Sequence, residues 1–147
     1  SLPRYYFLKW SNTTSSKLVL IISTSEDKNF SYIPDVDEDV FNQQADFAYL
    51  CSNNTIFGTQ YKTFPNTKEI PLVADMSSDI LSRNLDVSKF GLIFAGAQKN
   101  VGPSGVTIVI VRKDLLTRVS DETPSMLQYK SFADSNSLYN TIPTFGI

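Results

Sequence analysis

The stretch GLIFAGAQKNVGPSGVTIVIVR, residues 91–112, joins two apolar runs through a short polar turn that is rich in glycine. The runs, 91–97 and 105–112, have the composition of buried β-strands. The turn between them is too short for a helical crossover, so the two strands are predicted to pair as antiparallel neighbours. Glycine suits such a turn, but nothing in its geometry requires a lysine. Lys99 is therefore either a solvated turn residue or a nucleophile placed at the end of a strand.

Three further apolar segments upstream of this pair predict β-strands, and they span residues 17–24, 46–52 and 70–75. The first is a continuous apolar run, which is typical of a strand buried on both faces. Together with the pair at 91–112, these segments indicate an α/β fold whose sheet is covered on both faces. The sheet is predicted to be mostly parallel, with one antiparallel strand.

The segments between and after the strands predict short helices and loops. Residues 33–44 carry a proline and early acidic residues, which suit the first turn of a helix. Residues 77–84 are predicted to form a short helix or a turn, and residues 112–119 to begin a helix. The tail, residues 131–147, has no clear period and is predicted to be a loop.

Composition narrows the functional classes. The chain of 147 residues is 41% hydrophobic, and its net charge of -2 is too near neutral to predict a nucleic-acid or membrane-surface partner. No apolar run reaches the roughly 18 residues of a membrane span. The single cysteine permits no internal disulfide and fits a reducing compartment, so a cytoplasmic location is expected. The absence of histidine removes triads built on that residue and most zinc sites, and no metal site is predicted.

Three polar residues follow the ends of predicted parallel strands, where ligands of open α/β sheets gather. They are Thr55, Asp75 and Lys99. Adjacent strands lie about 5 Å apart, so the three side chains are expected to converge on one small molecule. Each residue also has an ordinary structural interpretation. In that interpretation, Asp75 caps the next helix, Thr55 is a turn residue, and Lys99 is a solvated lysine.

An amine and a carboxylate at neighbouring strand ends, beside a glycine-rich backbone, suit pyridoxal phosphate. This cofactor needs a lysine amine to form a Schiff base and an acid that keeps its ring nitrogen protonated. A lysine released from that link is also able to move a proton between substrate carbons. The pair Lys99 and Asp75 therefore predicts a pyridoxal-phosphate site.

Longer blocks of the sequence resemble the phosphoserine aminotransferase family, which belongs to the class V aminotransferases of fold type I. The blocks are LVADMSSDILSRNLDVSKFGLIFAGAQKNVGPSGVTIVIVRKDLL at 72–116 and TPSMLQYKSFADSNSLYNTIPTFGI at 123–147. EDKNFSYIPD and NNTIFGTQY agree as well, so the resemblance extends from about Ser25 to the end. The AGAQKN block, together with the upstream ADMSS, is specific to this family.

The resemblance implies roles for individual residues. Lys99 matches the lysine that binds the cofactor covalently, and Asp75 matches the acid on its ring nitrogen. Thr55 and Gln98 match residues that contact the cofactor. Asn140 and Thr141 match residues that reach the cofactor phosphate of the other subunit in a homodimer. Ile142 stands where the family usually has proline.

The resemblance also implies an activity and a domain organisation. The activity is amino-group transfer from glutamate to 3-phosphohydroxypyruvate, which gives phosphoserine and 2-oxoglutarate in serine biosynthesis, and in some bacteria also serves pyridoxine biosynthesis. Residues 1–24 form a divergent N-terminal segment with the first strand. Residues 25–147 form the central part of the cofactor-binding large domain, without the N-terminal part and the C-terminal small domain.

Two alternatives to this function stay open. One is a truncated, non-catalytic relative that keeps the lysine and the aspartate, and the other is a different fold-type I pyridoxal enzyme. A generic nucleotide-binding domain is disfavoured because no glycine-rich fingerprint follows the first strand.

Overall fold

The computed structural model describes residues 4–9 and 18–138. Its strands are β1 (Arg4–Lys9), β2 (Leu18–Thr24), β3 (Phe47–Cys51), β4 (Asn53–Asn54), β5 (Thr59–Gln60), β6 (Leu72–Asp75), β7 (Leu92–Gly96) and β8 (Thr107–Val111). One short α-helix, α1 (Tyr129–Asp134), follows them. The remaining helical turns are 3-10 helices at Glu26–Lys28, Glu38–Val40, Val87–Lys89, Lys113–Thr117 and Ser125–Leu127.

Six of these strands form one sheet in the order β2-β1-β3-β6-β7-β8. The central strands β3, β6 and β7 are parallel, and β8 pairs with β7 in the antiparallel sense that residues 91–112 predicted. Four of the six strands share one direction, as the mostly parallel prediction requires. The prediction of a single antiparallel strand was incomplete, because β1 is a second one and no strand was expected in its segment.

The hydrophobic core lies on one face of the central strands. Side chains of a β-strand alternate between the two faces of its sheet, and every second residue of β3, β6 and β7 is buried on the core side. Aromatic and aliphatic side chains from the intervening loops cover these positions. The core consists of Phe41, Ala45, Ala48, Leu50, Tyr61, Ile70, Leu72, Ala74, Met76, Ile80, Phe90, Ile93 and Ala95.

The opposite face of the sheet is only half-buried in the described part of the chain. There Tyr49 and Phe94 stack with ring centroids 6.4 Å apart. The sequence predicted cover on both faces, and the first strand was expected to be buried on both sides. That second expectation was wrong, since Val19, Leu20 and Ile21 are 47%, 52% and 45% exposed. β2 is an edge strand of the sheet in the described part of the chain, and β1 is its one neighbour there.

The connections contain fewer helices than the sequence predicted. Within residues 33–44 and 112–119 the structure has 3-10 helices, and residues 77–84 form a turn in which Ile80 N donates to Met76 O at 2.9 Å. The tail predicted as loop includes the end of α1. No helix in the described ranges has the length and apolar character needed to cross a membrane.

Gly91, at the entry to β7, leaves no room for a side chain. A Cβ atom there would lie 2.5 Å from Pro71 Cβ. Gly91→Ala is therefore expected to lower the free energy of unfolding of the complete protein by about 1–3 kcal/mol, the usual cost of overpacking. Gly102→Ala is the control, because a Cβ at Gly102 meets nothing within 4 Å. Urea denaturation measures both variants, and equal unfolding midpoints would contradict the packing argument.

Candidate functional site

A polar cleft opens where the three parallel strands end. Cys51, Asp75 and Phe94 are aligned across β3, β6 and β7, so the strand ends share one edge of the sheet. Residues from the strand ends and the following turns line the cleft: Cys51, Asn53, Asn54, Thr55, Ile56, Asp75, Ser77, Ser78 and Lys99. Three separate segments thus bring the predicted residues Thr55, Asp75 and Lys99 to one place.

Lys99 lies in a tight turn directly after β7. The turn closes on Ala97, whose carbonyl accepts from Val101 N at 3.1 Å and from Gly102 N at 2.9 Å. The Asn100 side-chain amide donates to the carbonyl of Ile80 and joins this turn to the turn that follows β6. The lysine side chain is exposed at the cleft. Its backbone is therefore fixed by hydrogen bonds of the turn, while the residue itself is exposed and lines the cleft.

Asp75 is the last residue of β6, and its half-buried carboxylate lies in the cleft wall. Its Oδ1 accepts two hydrogen bonds from Ser77, one from the backbone N at 2.9 Å and one from Oγ at 2.6 Å. The capping interpretation of Asp75 is thus partly correct, although the capped segment is a turn and not a helix. Within the described residues no hydrogen bond reaches Oδ2, so that oxygen is available to a ligand.

Thr55 occupies the turn of a small hairpin, β4–β5, that the sequence analysis missed. The hairpin spans residues 53–60. The buried Asn54 shapes its turn, because Oδ1 accepts from Ile56 N at 3.0 Å and from Phe57 N at 3.2 Å. Gly58 follows with φ of 68°, a left-handed conformation that glycine adopts without strain. Asn53 and Asn54, with Gly58 four residues after the second asparagine, are the residues that would have predicted this turn.

A buried carboxylate, Asp79, attaches the hairpin to the rest of the site. Asp79 is only 6% exposed. Its Oδ1 accepts from the Ser52 hydroxyl, while Oδ2 accepts from Gln60 Nε2 at 3.2 Å and from the Arg83 guanidinium at 3.4 Å. Ser52 directly precedes the hairpin, and Gln60 is its last residue. A buried charge needs such a full set of donors, and these donors fix the hairpin that carries Thr55.

A second tie joins the hairpin to the same turn. Asn53 Nδ2 donates to Ser78 Oγ at 2.9 Å, and Ser78 Oγ donates to the Asn53 carbonyl at 2.9 Å. The serines of ADMSS and the following Asp79 lie in a block that resembles the family, but no role was predicted for them. Their spacing after Asp75 was the available signal, because short hydroxyl side chains next to a carboxylate favour local turn hydrogen bonds.

Of the remaining predicted site residues, the structure describes Gln98 alone. Gln98 is not among the cleft-lining residues, and its side chain lies against Gly96, where a Cβ atom would be 2.8 Å from Gln98 Oε1. Asn140 and Thr141 lie outside the described residues. Their roles stay predictions. In the ranges 4–9 and 18–138, no group of three or more histidine, cysteine, aspartate or glutamate residues is arranged to hold a metal ion.

Comparisons with known proteins agree with this geometry. The family model for class-V aminotransferases matches residues 7–147. The chain is 58% identical over 130 residues to a phosphoserine aminotransferase of Geobacillus kaustophilus. The aligned residues cover 88% of this chain and 36% of that protein. It is 59% identical over 131 residues to a phosphoserine aminotransferase of Desulfosudis oleivorans, covering 89% of this chain and 36% of the relative.

Solved structures give the same result. A phosphoserine aminotransferase from Bacillus circulans subsp. alkalophilus superposes with a TM-score of 0.78 at 48% identity, over 86% of this chain and 35% of that one. A phosphoserine aminotransferase with bound PLP, from Trichomonas vaginalis, gives 0.67 at 40% identity, over 78% of this chain and 32% of that one. These likenesses confirm the predicted fold class and the predicted resemblance. The chain spans about a third of the length of the relatives it matches.

Asp79→Asn tests whether the buried carboxylate holds the hairpin. The change keeps the shape of the side chain but replaces one carboxylate oxygen with an amide NH2 group, which cannot accept hydrogen bonds from Gln60 and Arg83. The free energy of unfolding of the complete protein is therefore expected to fall by about 1–3 kcal/mol. Asp86→Asn is the control, because Asp86 is exposed and asparagine caps a turn about as well as aspartate. Its expected effect is within about 0.5 kcal/mol. Similar urea midpoints for the two variants would contradict this account of Asp79.

Proposed function

Since this chain belongs to the class-V aminotransferase family, we propose that the complete protein is a pyridoxal-phosphate-dependent phosphoserine aminotransferase. It transfers an amino group from glutamate to 3-phosphohydroxypyruvate and yields phosphoserine and 2-oxoglutarate, in the cytoplasm, as a step of serine biosynthesis. The observation that carries the proposal is the shared cleft of Lys99 and Asp75. The identity of 58–59% with phosphoserine aminotransferases supports the choice of reaction.

The residues present fit the cofactor. The cleft offers one primary amine at Lys99, one carboxylate at Asp75 with Oδ2 available, and a hydroxyl at Thr55. A carbonyl group, a ring nitrogen that carries a proton, and an oxygen substituent on the ring would each find a partner of suitable chemistry in this set. Lys99 would hold the cofactor, Asp75 would face its ring nitrogen, and Thr55 would contact it from the hairpin.

When bound, pyridoxal phosphate supplies an electron sink for the charge that develops as the substrate α-carbon loses its proton. The chain's own residues set the conditions for that chemistry. The Asp75 carboxylate keeps a proton on the ring nitrogen through charge and hydrogen bonding. The Lys99 amine would hold the cofactor at the strand end and, when free, would accept the proton from the substrate α-carbon and donate it again.

The two half-reactions use the same groups in opposite directions. Glutamate delivers the amino group and leaves as 2-oxoglutarate, after which 3-phosphohydroxypyruvate receives the group and leaves as phosphoserine. Both substrates are small, anionic molecules, and Lys99 is the one basic side chain among the cleft-lining residues of the described chain. The exposure of Lys99 supports a role that needs the side chain to move between cofactor and substrate.

Lys99→Ala is expected to lower turnover of the complete protein by at least about 10²–10⁴-fold, because proton transfer by a positioned base contributes that much. Lys89→Ala is the matched control, since Lys89 is an exposed lysine in a neighbouring 3-10 helix outside the cleft. Borohydride reduction followed by peptide mapping should place the cofactor on Lys99. Finding it on Lys89 or Lys113 would overturn the assignment.

The homodimer is the second part of the proposal, with Asn140 and Thr141 of each subunit reaching the cofactor phosphate in the site of the other. Charge-assisted hydrogen bonds to a dianionic phosphate contribute roughly 1.5–3 kcal/mol each. Replacing both residues with alanine should then weaken cofactor binding by about two to four powers of ten. Absorbance titration of the apoprotein with pyridoxal phosphate measures this change.

A mixed dimer shows whether the contact crosses between subunits. One subunit carries Lys99→Ala, and the other carries Asn140→Ala with Thr141→Ala. If the loop acts across the interface, both defects fall on one site and the other site stays active. An inactive mixed dimer, with each parent variant confirmed as inactive, would mean that the loop serves its own subunit.

A further inference from the structure

The contact between Asp75 and Ser77 occurs a second time on the surface of the protein. At Asp86, Oδ1 accepts from Ser88 N at 3.1 Å and from Ser88 Oγ at 2.6 Å. At Asp75 the matching distances to Ser77 are 2.9 and 2.6 Å. Both are aspartates that fold a turn with the serine two residues later, but only the first pair lines the cleft.

The two serines differ in what their oxygen accepts. Ser77 Oγ accepts a hydrogen bond from Gly96 N at 3.0 Å, whereas no such bond to Ser88 Oγ is present within the described residues. Gly96 is the last residue of β7, three positions before Lys99. Ser77 therefore links the carboxylate at the end of β6 to the backbone of the strand that leads to the lysine.

This double contact fixes the direction of the hydroxyl. A serine hydroxyl has one proton to donate and lone pairs to accept. With Gly96 N–H on its oxygen, the proton points to Asp75 Oδ1. The carboxylate is held by Oδ1, and within the described residues no hydrogen bond reaches Oδ2.

We propose that Ser77 is a positioning residue, whose hydroxyl ties the Asp75 carboxylate to the end of β7 and so sets the spacing between the acid and Lys99 at the cofactor site. This inference rests on the proposed function, because the ligand that needs the spacing is pyridoxal phosphate. Ser77 acts through Asp75 and does not itself react. Its influence should therefore disappear when Asp75 is absent.

The test measures the dissociation constant of pyridoxal phosphate for the complete apoprotein by absorbance titration. Ser77→Ala is expected to weaken binding about tenfold, the lower end of what a hydrogen bond to a charged group contributes to an equilibrium constant. Ser77→Thr keeps the hydroxyl and should stay within about twofold of the unaltered protein. Ser88→Ala removes the same contact away from the cleft and should leave the dissociation constant unchanged.

A double-mutant cycle separates positioning from a general structural effect. In an Asp75→Ala background, adding Ser77→Ala should change the dissociation constant by less than about twofold, because the group that Ser77 positions is gone. A tenfold loss in both backgrounds would overturn the proposal and leave Ser77 as a stabilising residue of the turn. Equal affinity of Ser77→Ala and the unaltered protein would overturn it as well.

A crystal structure of the Ser77→Ala holoenzyme provides a readout that does not depend on affinity. The Asp75 carboxylate is expected to leave its position beside residue 77, and an unmoved carboxylate would refute the proposal. Failure of the cofactor assignment in the proposed function has a different signature, since the unaltered protein would then fail to bind pyridoxal phosphate at all.

Discussion

The in-register pairing of β3, β6 and β7 is the constraint on which the site depends. Parallel strands bring their carboxyl ends to one edge, and the observed register places Asp75 between Cys51 and Phe94 at that edge. The burial of alternate residues on the core face holds this register, because a shift by one residue would expose Ala74 and its neighbours on that face. The cleft is thus a consequence of how the apolar side chains pack.

The turn after β6 converts this edge into a site with defined walls. Its residues contact both neighbouring elements: Ser77 bonds to the end of β7, while Ser78 and Asp79 bond to the hairpin that carries Thr55. A short segment of polar side chains therefore connects the ends of β6 and β7 to the hairpin, which is not part of the six-stranded sheet. The cost of burying Asp79 is offset by donors on both of its oxygens. The same donors reduce the freedom of the hairpin.

The sequence predicted the parts of the fold that depend on composition over several residues. The apolar runs on either side of the Lys99 turn, and the shortness of that turn, predicted both β7–β8 and their antiparallel pairing. The convergence of Thr55, Asp75 and Lys99 followed from strand ends meeting at one edge. Burial of β2 was predicted wrongly, because periodicity does not reveal whether a strand lies at the centre or the edge of a sheet. Edge position depends on pairing between distant segments.

The side-chain hydrogen-bond networks could not be predicted from the sequence either, because they too depend on contacts between distant segments. In the sequence, nothing distinguishes Asp79 from other acidic residues that follow a strand. Its burial depends on hydrogen bonds from Ser52 and Gln60, which are distant from it in the sequence. The 3-10 helices that replace the expected α-helices reflect segments too short to continue a hydrogen-bonded helix. The acidic residue Asp37 caps one of them, because its side chain accepts a hydrogen bond from Asp39 N.

The alternation of faces along β6 also determines where the chain tolerates a change in length. Ala74 is fully buried in the core, whereas Asp75 lies on the half-buried face. One inserted residue within β6 would exchange these two positions and direct a charge into the apolar interior, at a cost that a small core does not sustain. The same insertion between residues 62 and 69 would leave the alternation intact. Insertions and deletions that preserve this site are therefore confined to the loops, and the length of β6 is fixed.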